Sequence, residues 1–198
     1  NMIVFSKMML PMEVFGDQSL QLVDEAMAKD RIIGLVLARK SPTETTYDPE
    51  DFHPVGTSAV ILKMAKSAEK KAQLLVQGIE RFRIREFIPG KPYLQARIES
   101  VPEQEVKDIE IEALMANLVS LFERIVKLTP FLPQEFGAMA KSITDPGVLA
   151  DLIASIINVS AQEKQDILET TAIKKRLREV TRLVNHQVEI LELGNKIQ

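Results

Sequence analysis

The stretch AQLLVQGIERFRIREF, Ala72 to Phe87, alternates like a β-strand with one covered face. Even positions carry Leu74, Val76, Phe82 and Ile84, while odd positions carry Gln77, Arg81, Arg83 and Arg85. Side chains of a strand point to opposite faces in turn, so this period assigns the first set to a core and the arginines to water. Leu75 and Ile79 break the rule by standing on the arginine face. Either another part of the chain covers that face, or it meets something outside the chain. Gly78 between them can also host a bulge that exchanges the two faces.

Outward from this strand the pattern stays β-like. PVGTSAVILKMAK (Pro54–Lys66) reads as a long strand that turns at Ser67–Lys71 into the first one, and PYLQARIESV (Pro92–Val101) follows a Pro89-Gly90 turn. Toward the N-terminus, MIVF (Met2–Phe5) and MEVF (Met12–Phe15) read as short strands around the Leu10-Pro11 break. Asp17 is placed to cap a helix running to about Lys29, with Leu20, Val23 and Met27 on one face. RIIGLVLAR (Arg31–Arg39) reads as a buried strand, followed by a polar loop with Pro42 and Pro49. Many strands with one early helix predict a mostly antiparallel barrel or curled sheet over residues 1–102.

Beyond Pro102 the period becomes helical. Ile111, Leu114, Leu118, Leu121, Phe122, Ile125 and Leu128 form a broad apolar stripe between Val106 and Leu128, which TPFLP (Thr129–Pro133) ends. Asp145-Pro146 is a cap followed by proline at the first helical position. Ser160 and Glu163 have the spacing of a capping box, and Thr171 is placed to cap a last helix. In that helix Ile173, Leu177, Val180, Val184, Val188 and Leu191 recur as in a coiled-coil seam. It would be roughly 40 Å long, more than so small a bundle can cover. Residues 103–198 are therefore expected to be an α-helical subdomain with a long connector helix at its end. The whole chain is expected to be α+β.

The composition bounds the function. Apolar residues make up 45% of the 198 and charged residues 27%, with a net charge of −3, so no overall field draws in nucleic acid or an anionic membrane. No apolar run approaches the roughly 20 residues that cross a bilayer, and the apolar start NMIVFSKMMLPMEVF lacks the marks of a signal peptide. Without cysteine there is no disulfide, thiolate metal site or cysteine nucleophile. The eight glycines are too dispersed for G-x-G-x-x-G or a P-loop, and no G-x-S-x-G elbow occurs. The two histidines, His53 and His186, read as surface or satisfied side chains. The run Arg81-Phe82-Arg83-Ile84-Arg85 is explained by alternation, and Glu80 and Glu86 weaken its field, so it does not read as a nucleic-acid site. Methionines at 8, 9, 12 and 64 suit either irregular core or an adaptable apolar surface.

The stretch DPEDFHPVGTSAVILKMAKSAEKKAQLLVQGIERFRIREF (Asp48–Phe87) resembles the N-terminal region of Lon proteases, in which an acidic loop leads to V-G-T, a hairpin and a G-x-x-R-x-R-I strand. The end, TDPGVLADLIASIINVSAQEKQDILETTAIKKRLREVTRLVNHQVEILEL, resembles the helical subdomain and long helix of the same family, and the order of pieces matches from about Val4 to Ile197. The turn Ser67-Ala68-Glu69-Lys70 departs from the family's Pro-Asp-Gly, and Phe5-Ser6 from its Phe-Pro.

The resemblance implies a PUA-like β domain followed by helices, upstream of an AAA+ ATPase and a Ser–Lys peptidase. It implies a non-catalytic, cytoplasmic module that recognises unfolded or tagged proteins and supports a hexamer. ATP and Mg would belong to the ATPase module, with no catalytic, metal or cofactor-binding residue in these 198. Protein substrates and other copies of the chain would be the partners, with neither nucleic acid nor membrane among them. Leu75, Ile79, Met64, Met8 and Met9 are the candidate substrate contacts. The alternative is a stand-alone binding or adaptor protein of the same fold, without an ATPase.

Overall fold

The computed structural model describes residues 2–39, 48–67, 69–104 and 106–197. Pro42 in the predicted polar loop and Ala68 in the predicted turn lie outside the described residues. The contacts divide the chain into two compact units, Asn1–Pro102 and Glu103–Gln198.

In the first unit, strands β1 (Met9–Phe15), β2 (Ile32–Leu35), β3 (Val55–Ser67), β4 (Lys71–Ile88) and β5 (Gln95–Val101) form one antiparallel sheet with helix α1 (Asp17–Met27). β4 is its spine. One edge pairs with β1 along Lys71–Gln77 and then with β5 along Arg81–Ile88, while the other edge pairs with β3. β2 adds to β3 and has no further strand beyond it among the described residues.

Three residues drop out of the ladders. Ile79 is unpaired between Gly78↔Ala59 and Glu80↔Ser58, and Leu62 between Ile61↔Val76 and Lys63↔Leu75. Arg85 is the third, between Ile84↔Ile98 and Glu86↔Arg97. Each such bulge bends its strand and increases the local twist, which curls the sheet around α1. Val23 of α1 packs there against Ala59, Ile61, Leu74 and Val76, and Leu10, Met12, Ile33 and Met64 complete the core.

The bulge at Ile79 settles the parity of the long strand. Ala72, Leu74, Val76 and Gly78 are buried before it, whereas Arg81 and Phe82 are both buried after it. Arg81, expected on a wet face, is 1% exposed and lies over the Phe5 ring at 5.9 Å. Its cover is the N-terminal arm. Ile3, Val4 and Phe5 are buried without forming the expected strand. Thr57 Oγ1 donates to the Val4 carbonyl at 2.6 Å, and the Lys7 N–H donates to the Gly78 carbonyl at 2.8 Å.

Other boundaries move as well. β1 runs through Pro11, which an edge strand tolerates because no donor is needed on its open side. Asp17 is the first residue of α1, and Gly16, at φ 94°, holds the cap position without a side-chain hydrogen bond. β2 is four residues long and half-exposed rather than a long buried strand. Past it, the Leu37 carbonyl accepts from His53 N–H at 3.0 Å, and His53 is buried.

The second unit holds α2 (Ile109–Leu128), α3 (Glu135–Ser142), α4 (Pro146–Ile156), α5 (Ala161–Glu169) and α6 (Ile173–Ile197). Asp108 caps α2 by accepting from Ile111 N–H at 2.8 Å, and Asp145 caps α4 by accepting from the Gly147 and Val148 N–H groups. Ser160 and Glu163 form the expected capping box of α5. α6 starts at Ile173, one position later than a Thr171 cap requires. α2, α4 and α6 pack on one another, and Leu118, Phe122 and Ile125 of α2, Leu149 and Ile153 of α4, and Leu177, Val180 and Val184 of α6 are buried.

Arg176 of α6 is 1% exposed yet well partnered. Its Nη1 donates to both Glu103 carboxylate oxygens at 3.1 Å and lies 3.6 Å from Asp151, and its Nε donates to the Thr170 carbonyl at 2.8 Å. A buried guanidinium needs this many acceptors to offset its lost hydration.

Candidate binding surface

The curl of the sheet leaves a groove of about 440 Å³ on the first unit. Its walls come from α1 and β2 on one side (Ala26, Ile32) and from the end of β4 and the run into β5 on the other (Phe87, Leu94, Ile98). Phe52, set by a single 3₁₀ turn at Pro49–Asp51, reaches Phe87 with ring centroids 6.0 Å apart. The turn is held by Asp48 N–H donating to Asp51 Oδ2 at 2.7 Å. Ile32, Leu94 and Ile98 are exposed, so the wall is apolar and open to solvent together. Glu25, which lines the groove, pairs with Lys91 at 3.7 Å. The volume is within the range of ligand sites, and an exposed apolar patch of this kind marks a binding surface rather than a stabilising one.

A second, shallower groove crosses β1, β3 and β4, where Pro11, Lys63 and Leu75 stand side by side. Met64, the bulged Leu62 and Met27 of α1 also line it, and Arg31 closes one end. Here two of the candidate contacts, Leu75 and Met64, come together, each half-buried. Ile79 is 43% exposed at its bulge. Met9 is exposed opposite Gln77, and Met8 is half-buried with its carbonyl accepting from Gly78 N–H at 2.9 Å. Neither groove is lined by Ile79, Met8 or Met9.

Sequence reasoning missed the groove between β2 and β5. Its signal was present in PYLQARIESV, where Leu94 and Ile98 stand among polar residues, but the stretch was read only as a further part of the sheet. Nothing in either lining gathers metal ligands, and no group of three His, Asp or Glu is placed to hold a metal ion among the described residues. No helix there is long and apolar enough to cross a membrane. The chemistry on offer is apolar contact and the unpaired backbone groups of open strand edges, which together suit an extended polypeptide.

Fold and grooves therefore define a binding domain: a curled antiparallel sheet with open apolar grooves, followed by a helical unit. The profile of the ATP-dependent protease La (LON) substrate-binding domain matches residues 1–186, and the chain belongs to that family. It is 61% identical to a Lon protease of Syntrophus aciditrophicus and 45% identical to one of Desulfosudis oleivorans, over 99% of its length in each. The chain spans about a quarter of the length of these relatives. Among solved structures, the N-terminal domain of a Mycobacterium avium complex Lon protease superposes with a TM-score of 0.74 at 25% identity, covering 92% of both chains. A Lon N-terminal domain protein from Xanthomonas campestris shares the fold at 14% identity, with a TM-score of 0.59 over 90% of each chain.

Proposed function

We propose that this chain captures unfolded or tagged protein substrates for an ATP-dependent protease and performs no catalysis itself. The observation that carries this reading is the open apolar groove between β2 and β5, with Ile32, Leu94 and Ile98 exposed on its walls. Family membership supports it, because the matching profile is that of a substrate-binding domain. ATP and Mg would act in an AAA+ module and peptide hydrolysis in a Ser–Lys peptidase, both in the remainder of a protein like its relatives. Assembly into a hexamer and a cytoplasmic setting belong to the same proposal. RNA binding loses support, because Arg81 is buried against the Phe5 ring and Arg85 is paired with Glu99.

The test is a titration with fluorescent, unfolded casein against the wild-type chain and a Leu94→Ser/Ile98→Ser variant. Each exposed side chain offers at most about 1.5–3 kcal/mol on burial, so the pair should weaken binding by about ten-fold or more. Melting should barely change, since exposed substitutions cost within about 0.5 kcal/mol. The chain alone should hydrolyse neither ATP nor casein. Equal affinity of the folded variant would remove this groove from substrate capture.

A further inference from the structure

The second groove differs from the first in its charge. Arg31 and Lys63 flank the bulged Leu62, and no acidic side chain lines the groove. The geometry is fixed from the backbone. Arg31, in the left-handed region at φ 64°, accepts from Ile61 N–H through its carbonyl at 2.8 Å, and Lys63 lies directly across from Leu75. Acidic groups nearby are engaged elsewhere. Asp30 Oδ1 accepts from Ile32 N–H at 3.0 Å, Glu13 accepts from Gln73 at 2.7 Å, and Asp24 pairs with Lys66 at 2.9 Å. Among the described residues neither Arg31 nor Lys63 has an ion-pair partner, and both are exposed.

We infer that this groove takes an extended substrate segment in which apolar side chains adjoin acidic residues. Leu62, Met64 and Leu75 receive the apolar side chains, with thioether and bulged leucine able to adjust to different shapes. Arg31 and Lys63 receive the carboxylate, the guanidinium in a two-pronged fashion. Two cations beside an apolar floor, with no acidic side chain in the lining, are complementary to that pairing and repel its basic counterpart. The inference rests on the substrate-capture reading and adds a preference of sign.

The experiment uses the 198-residue chain and two fluorescent peptides with one apolar core, flanked by Glu in one and by Lys in the other. At low salt the Glu-flanked peptide should bind about five-fold tighter, the scale of one or two exposed ion pairs. That preference should collapse at about 0.5 M salt, where screening acts over a few ångströms. Arg31→Asn/Lys63→Gln should abolish it while binding of the Lys-flanked peptide is retained. Asn is chosen because it tolerates a positive φ. Lys63→Glu alone, on an exposed strand position, should reverse the preference and serves if the double variant fails to fold. Equal binding of both peptides, unmoved by either variant, would overturn this inference and leave substrate capture standing. No binding of either peptide would overturn substrate capture with it. Salt-sensitive binding of anionic lipid vesicles through Arg31 and Lys63, with no peptide preference, would overturn the assigned occupant.

Discussion

A glycine between two apolar residues has a different meaning once a second piece of chain lies against it. A Cβ on Gly78 would run into the carbonyl oxygen of Phe5, whose ring lies under Arg81. Gly78→Ala should therefore loosen the N-terminal arm and destabilise the first unit by about 1–3 kcal/mol, the usual cost of overpacking. Chemical denaturation followed on the first unit measures it, and an unchanged midpoint would mean that the arm yields freely. The neighbours sort by burial. Ile79→Ser should cost within about 0.5 kcal/mol at its exposed bulge. Leu75→Ser, from a half-buried site, should cost about 1 kcal/mol. Equal losses would place the two in one environment. The sequence identified both as out of place but could not separate them, because a single unpaired residue shifts all later alternation. Arg81 was misassigned for the same reason. Its burial depends on Phe5, more than seventy positions away, and strand period carries no information about that cover.

Among the helices, those with a capping signal or a long apolar stripe were legible, and the short α3, which has neither, was not. α4 and α5 begin where Asp145 and Ser160 announce them. α3 went unseen because Gln134 caps it without a side-chain hydrogen bond, Gly137 sits inside it, and eight residues show little period. The groove between β2 and β5 was hidden similarly, since its walls come from separate elements that meet only when the sheet curls. α2 and α6 carry two predictions. Lys174 of α6 lies 2.8 Å from Asp108 and 3.0 Å from Glu110 at the start of α2. Its hydrogen bonds hold both carboxyls below their usual range, and they raise Lys174 in return. Depressed carboxylates stabilise above their ordinary values and lose that contribution as pH falls through the lowered ones, so this window runs downward from about pH 4. The Lys174 contribution is complete at neutral pH and fades only above about pH 10.4. Lys174→Met should flatten the acid side of the stability profile of the second unit; an unaltered profile would mean that solvent screens the cluster. Toward its other end α6 buries Val188, but Leu193 is 60% exposed and Arg124 reaches Glu192 only at the surface. A helix draws most of its stability from packing. Amide exchange should be faster from Glu189 onward than within α2, and equal protection would mean that another copy covers the end of α6.

At the scale of the whole molecule, the change of period at Pro102 coincides with the division of contacts between Asn1–Pro102 and Glu103–Gln198. What the sequence did not reveal is how the joint is fastened. Glu103, the first residue of the second unit, is held by two hydrogen bonds from buried Arg176, and a side chain on Gly147 would collide with its carboxylate. A carboxylate lodged against a glycine and a buried cation fixes the start of the helical unit to α4 and α6. Exposed irregular backbone follows, where Val106 and Lys107 belong to neither strand nor helix. Exposed, irregular backbone is the preferred site of nicking. Brief trypsin treatment should cut at Lys107 before either core, leaving two protected fragments that melt separately. Glu103→Gln should speed the cut, because the neutral amide gives up the ion pair and frees the segment from Arg176. The same substitution should leave the melt of the first fragment unchanged, which separates a loosened joint from general destabilisation. Mass spectrometry of the early fragments decides the matter. Uniform resistance at Lys107 in both forms, with one cooperative melt of the intact chain, would mean that the two units fold as one.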